Sequence, residues 1–240
     1  MTTTTTHQNL DTTTTPSAAP RSSAVTARRT FLVAAPVMAA AFTIVGAVGD
    51  PAAGINGSEM VKIYIENPSP LQWKSTGYHW AYAFWILPAF LGAGLVRGKG
   101  GWLANVAALL AFAGMVTLPG MLITDWYASA IGHEFGLEGT QAVESYMEST
   151  MWGIAGFGIA AMAGFVIGVP LSVVALIRAG LVRWWTLLAV LVPLAALFAS
   201  QGAVWGGLVC AAGLLVYAWS LAGAVRLAGR GGTKSRHETA

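Results

Sequence analysis

The stretch "ARRTFLVAAPVMAAAFTIVG", Ala27 to Gly46, sets two adjacent arginines directly against an uncharged apolar run. Read as a membrane-crossing helix, it is the first of six; read as an export signal that is cut away, it leaves five. Arg28-Arg29-Thr30-Phe31-Leu32 resembles the twin-arginine export signal, in which paired arginines precede Phe-Leu. Two features favour a retained helix. The residue before the pair is Ala27 rather than Ser or Thr, and the apolar run from Phe31 to Gly49 outlasts the roughly 7–15 residues of an ordinary signal core. Ala47-Val48-Gly49 is nevertheless a small-x-small cleavage site, closely followed by Pro51, so removal stays open as the alternative.

The rest of the chain repeats the pattern. Uncharged apolar stretches lie near 31–49, 78–96, 102–124, 151–177, 184–200 and 203–225. Each is about 17 to 27 residues, the length a helix needs to cross roughly 30 Å of hydrocarbon. The chain is 55% hydrophobic and 10% charged, against about a quarter charged in an average soluble domain. In lipid the backbone must satisfy its own hydrogen bonds, which selects helices, and the period-two alternation of a membrane β-barrel is absent. The expected fold is therefore all-α: a polytopic membrane protein built as a bundle of six transmembrane helices, occupying residues 28–228. Residues 1–27, Thr-rich and poor in large apolar side chains, read as a disordered cytoplasmic tail, and 229–240 as a basic cytoplasmic tail.

Charge sets the orientation. With the N-terminus inside, the inner segments hold Arg21, Arg28, Arg29, Arg97, Lys99, Arg178, Arg183, Arg226, Arg230, Lys234 and Arg236, leaving only Lys62 and Lys74 outside. The acids fall oppositely, with only Asp11 and Glu238 inside. This positive-inside asymmetry predicts both termini in the cytoplasm (N-in, C-in) and a multi-pass protein of the plasma membrane. The basic residues flank helices rather than forming a patch, so no nucleic-acid partner is expected. Cys210, the single cysteine, lies inside an apolar run and reads as a packing residue.

Two outer segments are long. In 50–77, Asn56 can cap a short helix with Glu59 three residues on, a near capping box, and Asn67-Pro68 ends the turn. Met60, Val61, Tyr64 and Ile65 share one face, as in a helix lying on the membrane surface. In 125–150, Thr140 to Met151 extends the fourth helix outward, with Glu144 and Glu148 one turn apart on its water-facing side.

Within the fourth helix Gly156, Ala160, Gly164, Gly168 and Ser172 recur every four residues. Membrane helices associate by close packing, so this bare ridge predicts a central helix, with Ala203, Gly207 and Ala211 of the sixth as a candidate partner surface and a homodimer as the alternative. Pro36, Pro88, Pro119, Pro170 and Pro193 place a proline in each of the first five helices.

Polar groups gather at the outer ends of helices two, three and four, where Tyr78, His79, Tyr82, Trp85, Trp126, Glu144, Glu148 and Trp152 are expected to line one outward-facing pocket. Asp125, at the hydrocarbon boundary after "TLPGMLIT", is the foremost candidate for proton donor or acceptor, with His79 as its partner. His133 and Glu134 are possible zinc ligands by type. On a continued helix, however, Asp125 and His133 stand about 12 Å apart, no HExxH spacing occurs, and no helix carries a mid-membrane His pair for haem. No metal or other cofactor is expected. The aromatic groups around one carboxylate admit a carbocation-stabilising site of the kind an isoprenoid cyclase uses, or simply an interfacial aromatic belt.

In its Ala/Gly-rich helices, low Lys content and Thr-rich leader the chain resembles the uncharacterised polytopic membrane proteins of high-GC actinobacteria. That resemblance is compositional and implies no activity. Three function classes follow from the residues: a module binding a lipid-like ligand or a partner membrane protein through its outer pocket; a small membrane-embedded enzyme acting on a lipid or isoprenoid by acid/base chemistry at Asp125; and a transporter or channel component. The absence of charge midway through any helix argues against the last being an ion-coupled pump.

Overall fold

In the computed structural model, which describes residues 23–234, nine α-helices follow one another without a strand among the described residues. They are α1 (Ser23–Gly49), α2 (Gly57–Glu66), α3 (Pro68–Gly92), α4 (Gly101–Met121), α5 (Ile123–Thr150), α6 (Trp152–Met162), α7 (Val169–Arg178), α8 (Leu188–Ser200) and α9 (Val204–Lys234). Four helical stretches, Ser23–Gly49, Gly101–Thr150, Trp152–Arg178 and Val204–Gly229, are long and apolar enough to cross a membrane. The protein is an all-α membrane helical bundle. Helix α3 and the shorter apolar helix ending at Ser200 pack within the same bundle.

The boundaries differ from the hydropathy reading where polar turns continue a helix into water. Helix α1 begins at Ser23, inside the stretch assigned to the N-terminal tail, and α9 runs to Lys234 rather than stopping near 225. Adding a residue to an existing helix gains a hydrogen bond without a new nucleation cost, so helices outrun their apolar cores. The largest extension is in α3, which starts ten residues before the expected 78. Pro68 occupies its first turn, where a missing N–H costs nothing. The rest of the expected tails lies outside the described residues.

Helix α1 sits between α3 and α9; α8 pairs with α9, and α4 carries α6 and α7. Leu32, Trp85, Ile86, Phe165, Leu176, Leu214 and Tyr217 fill the shared core. Where α1 crosses α3, Gly46 meets Gly77 backbone to backbone. Where α4 crosses the fourth apolar helix, a methyl group on Gly114 would stand 2.8 Å from the Cα of Gly164, a separation that only two glycines permit.

This corrects the expected role of the small-residue ridge. Gly164 and Gly168 do mediate close packing, but against Ala107, Ala111 and Gly114 of α4, not against α9. Gly207 of α9 packs on Ala47 of α1 instead. The fourth helix is central over its second half only, where Phe165, Val169, Val173 and Leu176 join the core; its first half is largely exposed, and nothing lies within 4 Å of a methyl built on Gly156. The cause lies at Pro170, whose ring crowds the carbonyl four residues back and whose missing N–H frees it. The helix accommodates this with a π-helical segment at Ala163–Gly168, between α6 and α7. A π turn holds about one residue more than an α turn, which rotates the outer half by on the order of 100°. Gly156 and Ala160 thereby fall out of line with Gly164, and Ala161 takes the buried position.

Candidate functional site

At the end of the bundle where α1 gives way to α2, polar side chains from four elements converge. Asp50 follows the last residue of α1; its Oδ1 accepts from the backbone N–H of Ala52 at 3.0 Å and from the Tyr64 hydroxyl of α2 at 3.3 Å. Lys74 and Ser75, adjacent on α3, both donate to Oδ2 of Asp125, at 2.5 Å and 3.1 Å. The Lys74 ammonium also stands 4.7 Å above the Tyr64 ring, a cation–π contact. Asp125 lies in the first turn of α5, where the helix dipole favours a negative charge.

Two carboxylates thus surround one lysine. The Lys74 side chain is 12% exposed and that of Asp125 23%, so the pair sits where an unpaired charge is costly. Burial raises the Asp50 carboxyl above the ordinary carboxylate value, against the lowering effects of the Ala52 N–H and the Lys74 charge. Burial, and after it the neighbouring Asp50, pushes the Tyr64 phenol well above its usual range, keeping it a neutral donor.

Beside this cluster, α5 folds back on itself. Gly136 adopts φ 73°, ψ 178°, a conformation essentially closed to residues with a Cβ. The two arms, 123–135 and 137–150, are joined where the Thr140 hydroxyl donates to the Ala128 carbonyl at 3.2 Å. The first arm is fixed to α2 by the Ser129 hydroxyl, which donates to the Tyr64 carbonyl at 2.8 Å, and by Ile65 against Gly132. Between α2, α3 and this arm opens a cleft of about 510 Å³. Ile65, Pro68, Leu71, Trp126 and Ala130 give it apolar walls, while Gln72, His133 and Glu134 stand at its polar rim.

The residues expected to line one pocket divide into three groups. Trp126 lines the cleft, with His133 and Glu134, whose ring and carboxylate are 3.7 Å apart and exposed. Tyr78, Tyr82 and Trp85 point into the bundle. Tyr78 stacks on Tyr82 with centroids 5.9 Å apart, and Trp85 meets Phe165 edge-on at 4.9 Å. Glu144, Glu148 and Trp152 are exposed away from the cleft, Trp152 to 88%. The aromatic residues therefore do not encircle Asp125. Helix α6 starts only at Trp152, after a break at Met151, so the stretch from Thr140 to Thr150 belongs to the second arm of α5 rather than extending the fourth helix.

His79 is not the partner of Asp125. Its Nδ1 donates to the Pro119 carbonyl at 2.9 Å, one helical step deeper. The partner is Lys74, which hydropathy and charge counting registered only as one of two outer basic residues. Its signal was its isolation among the acids of the two long loops, one turn before Tyr78. Among the described residues no group of three His, Cys, Asp or Glu side chains is placed to hold a metal ion. No family model, curated protein or solved structure matches this chain.

Proposed function

We propose that this protein is a multi-pass module of the plasma membrane, with six crossings and both termini cytoplasmic, that binds an amphiphilic, lipid-like molecule in its outer cleft. The observation that carries the reading is the cleft itself: apolar walls from Ile65, Leu71 and Trp126 below a rim of Gln72, His133 and Glu134. Such a combination suits a ligand with an apolar body and a polar head. The outer segments are acidic, so a neutral or cationic head is favoured over an anionic one. Asp125 supports binding rather than proton transfer, because one of its oxygens already accepts from both Lys74 and Ser75 and the pair clamps α3 to α5.

The test is photo-crosslinking with a diazirine-bearing monoacylglycerol on the full-length protein in phosphatidylcholine nanodiscs. Labelling should concentrate on peptides spanning 65–72 and 126–134, and excess unlabelled monoacylglycerol should compete it away. Ala130→Trp, which fills the exposed side of the cleft, should reduce that labelling at least tenfold without lowering the thermal midpoint. Uniform labelling of lipid-facing helices, indifferent to Ala130→Trp, would overturn the reading.

A further inference from the structure

The twin arginines that open α1 serve different ends. The Arg28 Nη2 donates to the Leu91 carbonyl at 2.9 Å and so ties α1 to the last turn of α3. Arg29 turns the other way, toward α9. There a groove of about 890 Å³ runs between α1 and α9, with Arg29 and Arg226 at one end together with Thr26 and Thr30. Toward the bilayer centre its walls become apolar: Val33, Val37 and Met38. Arg29, Val33 and Val37 follow at intervals of four, so they form a single track about 12 Å long on one helix face.

We infer that this groove binds an anionic phospholipid, its phosphodiester held by Arg29 and Arg226 and one acyl chain laid along Val33, Val37 and Met38. Two observations select the occupant. The first is charge complementarity: two guanidiniums, permanently ionised and shaped to donate in pairs to phosphate oxygens, border the groove, and no carboxylate lines it among the described residues. The second is the gradient from polar to apolar along one track, which matches a headgroup continuous with a chain and gives a free anion nothing to occupy in the deeper part. Basic pockets between membrane helices at the arginine-rich side suit this class of lipid.

The full-length protein in neutral detergent micelles, titrated with phosphatidylglycerol or phosphatidylcholine of identical chains, tests the proposal by native mass spectrometry and thermal midpoint. Phosphatidylglycerol should be retained at least tenfold more tightly than phosphatidylcholine and should raise the midpoint. Arg29→Gln with Arg226→Gln should abolish that preference, whereas Arg28→Gln should leave it in place. Val37→Trp, which blocks the track and keeps both charges, should weaken phosphatidylglycerol tenfold and serves as the test if the double variant does not fold. Equal retention of the two lipids would overturn the proposal. So would unchanged binding in Val37→Trp, or competition by inorganic phosphate at concentrations matching the lipid, which marks a simple anion site.

Discussion

Replacing Lys74 by Met removes the cation between Asp50 and Asp125 while keeping an unbranched side chain only one atom shorter. At 2.5 Å and an effective dielectric of about 20, the gross attraction to Asp125 is roughly 6–7 kcal/mol, most of it offset by the cost of taking both charges out of water. Truncating one partner of a buried pair costs about 3–5 kcal/mol because the other charge is left behind. Both side chains keep some exposure, so the lower end applies, and loss of the Tyr64 cation–π contact brings the total to about 3–4 kcal/mol. Reversible unfolding by dodecyl sulfate in mixed micelles, followed by circular dichroism, measures this directly. Paired with Asp125→Leu in a double-mutant cycle, Lys74→Met should show a coupling of about 2 kcal/mol, the double variant being less damaged than the sum of the singles. Simple additivity, with coupling below about 0.5 kcal/mol, would refute the view that this pair is a desolvated clamp and reduce it to a surface ion pair.

Three further outcomes follow from the same geometry. Because burial raises the Asp50 carboxyl in the folded state, the folded protein holds this proton more tightly than the unfolded chain, so Asp50 contributes stability that increases on acidification from above its raised value down to the ordinary 3.8. Asp50→Asn, which keeps the acceptor for Ala52 and Tyr64, should flatten that part of the stability–pH curve; an unchanged slope would contradict the burial argument. Gly164→Val should destabilise by at least about 2–3 kcal/mol through collision with the Gly114 backbone, while Gly156→Val on the same sequence ridge should stay within about 0.5 kcal/mol, both read by the same unfolding assay. Gly136→Ala should strain the turn of α5 by about 1–3 kcal/mol and separate its arms, visible as a longer spin-label distance between positions 128 and 140.

Why some of this was legible in the sequence, and some not, has physical causes. Charge-free runs announce themselves, because a charged residue inside hydrocarbon is expensive, and the apolar parts of α1, α4, α7 and α9 lie where those runs lie. The first turns of α3 were hidden because a helix emerging into water gains polar residues and loses its hydropathy signal. That error concealed the site. With α3 begun at Pro68, Lys74 and Ser75 stand about one turn above His79 on the antiparallel neighbour of α4, and the step from Pro119 to Asp125 on the other side covers a comparable rise. Depth then assigns His79 to Pro119 and Lys74 to Asp125. The ridge in the fourth helix was visible, as were its complements Ala107, Ala111 and Gly114 in α4, but small side chains carry no label saying which other small surface they meet. The cleft was least legible of all, since its walls come from α2, α3 and the first arm of α5, three elements whose mutual packing no local pattern announces.

The π segment before Pro170 makes the fourth apolar helix a rod with two phases. Within it, Gly164 and Gly168 pack on α4; before it, Gly158 faces α4 and Ala161 is buried, and the four-residue ruler that fits one stretch misreads the other. A substitution scan along 152–172 should therefore trace two sinusoids of tolerance joined by a jump at 163–168. Any redesign of the outward half, a reporter graft or a crosslinker included, has to be indexed from that jump rather than from the proline.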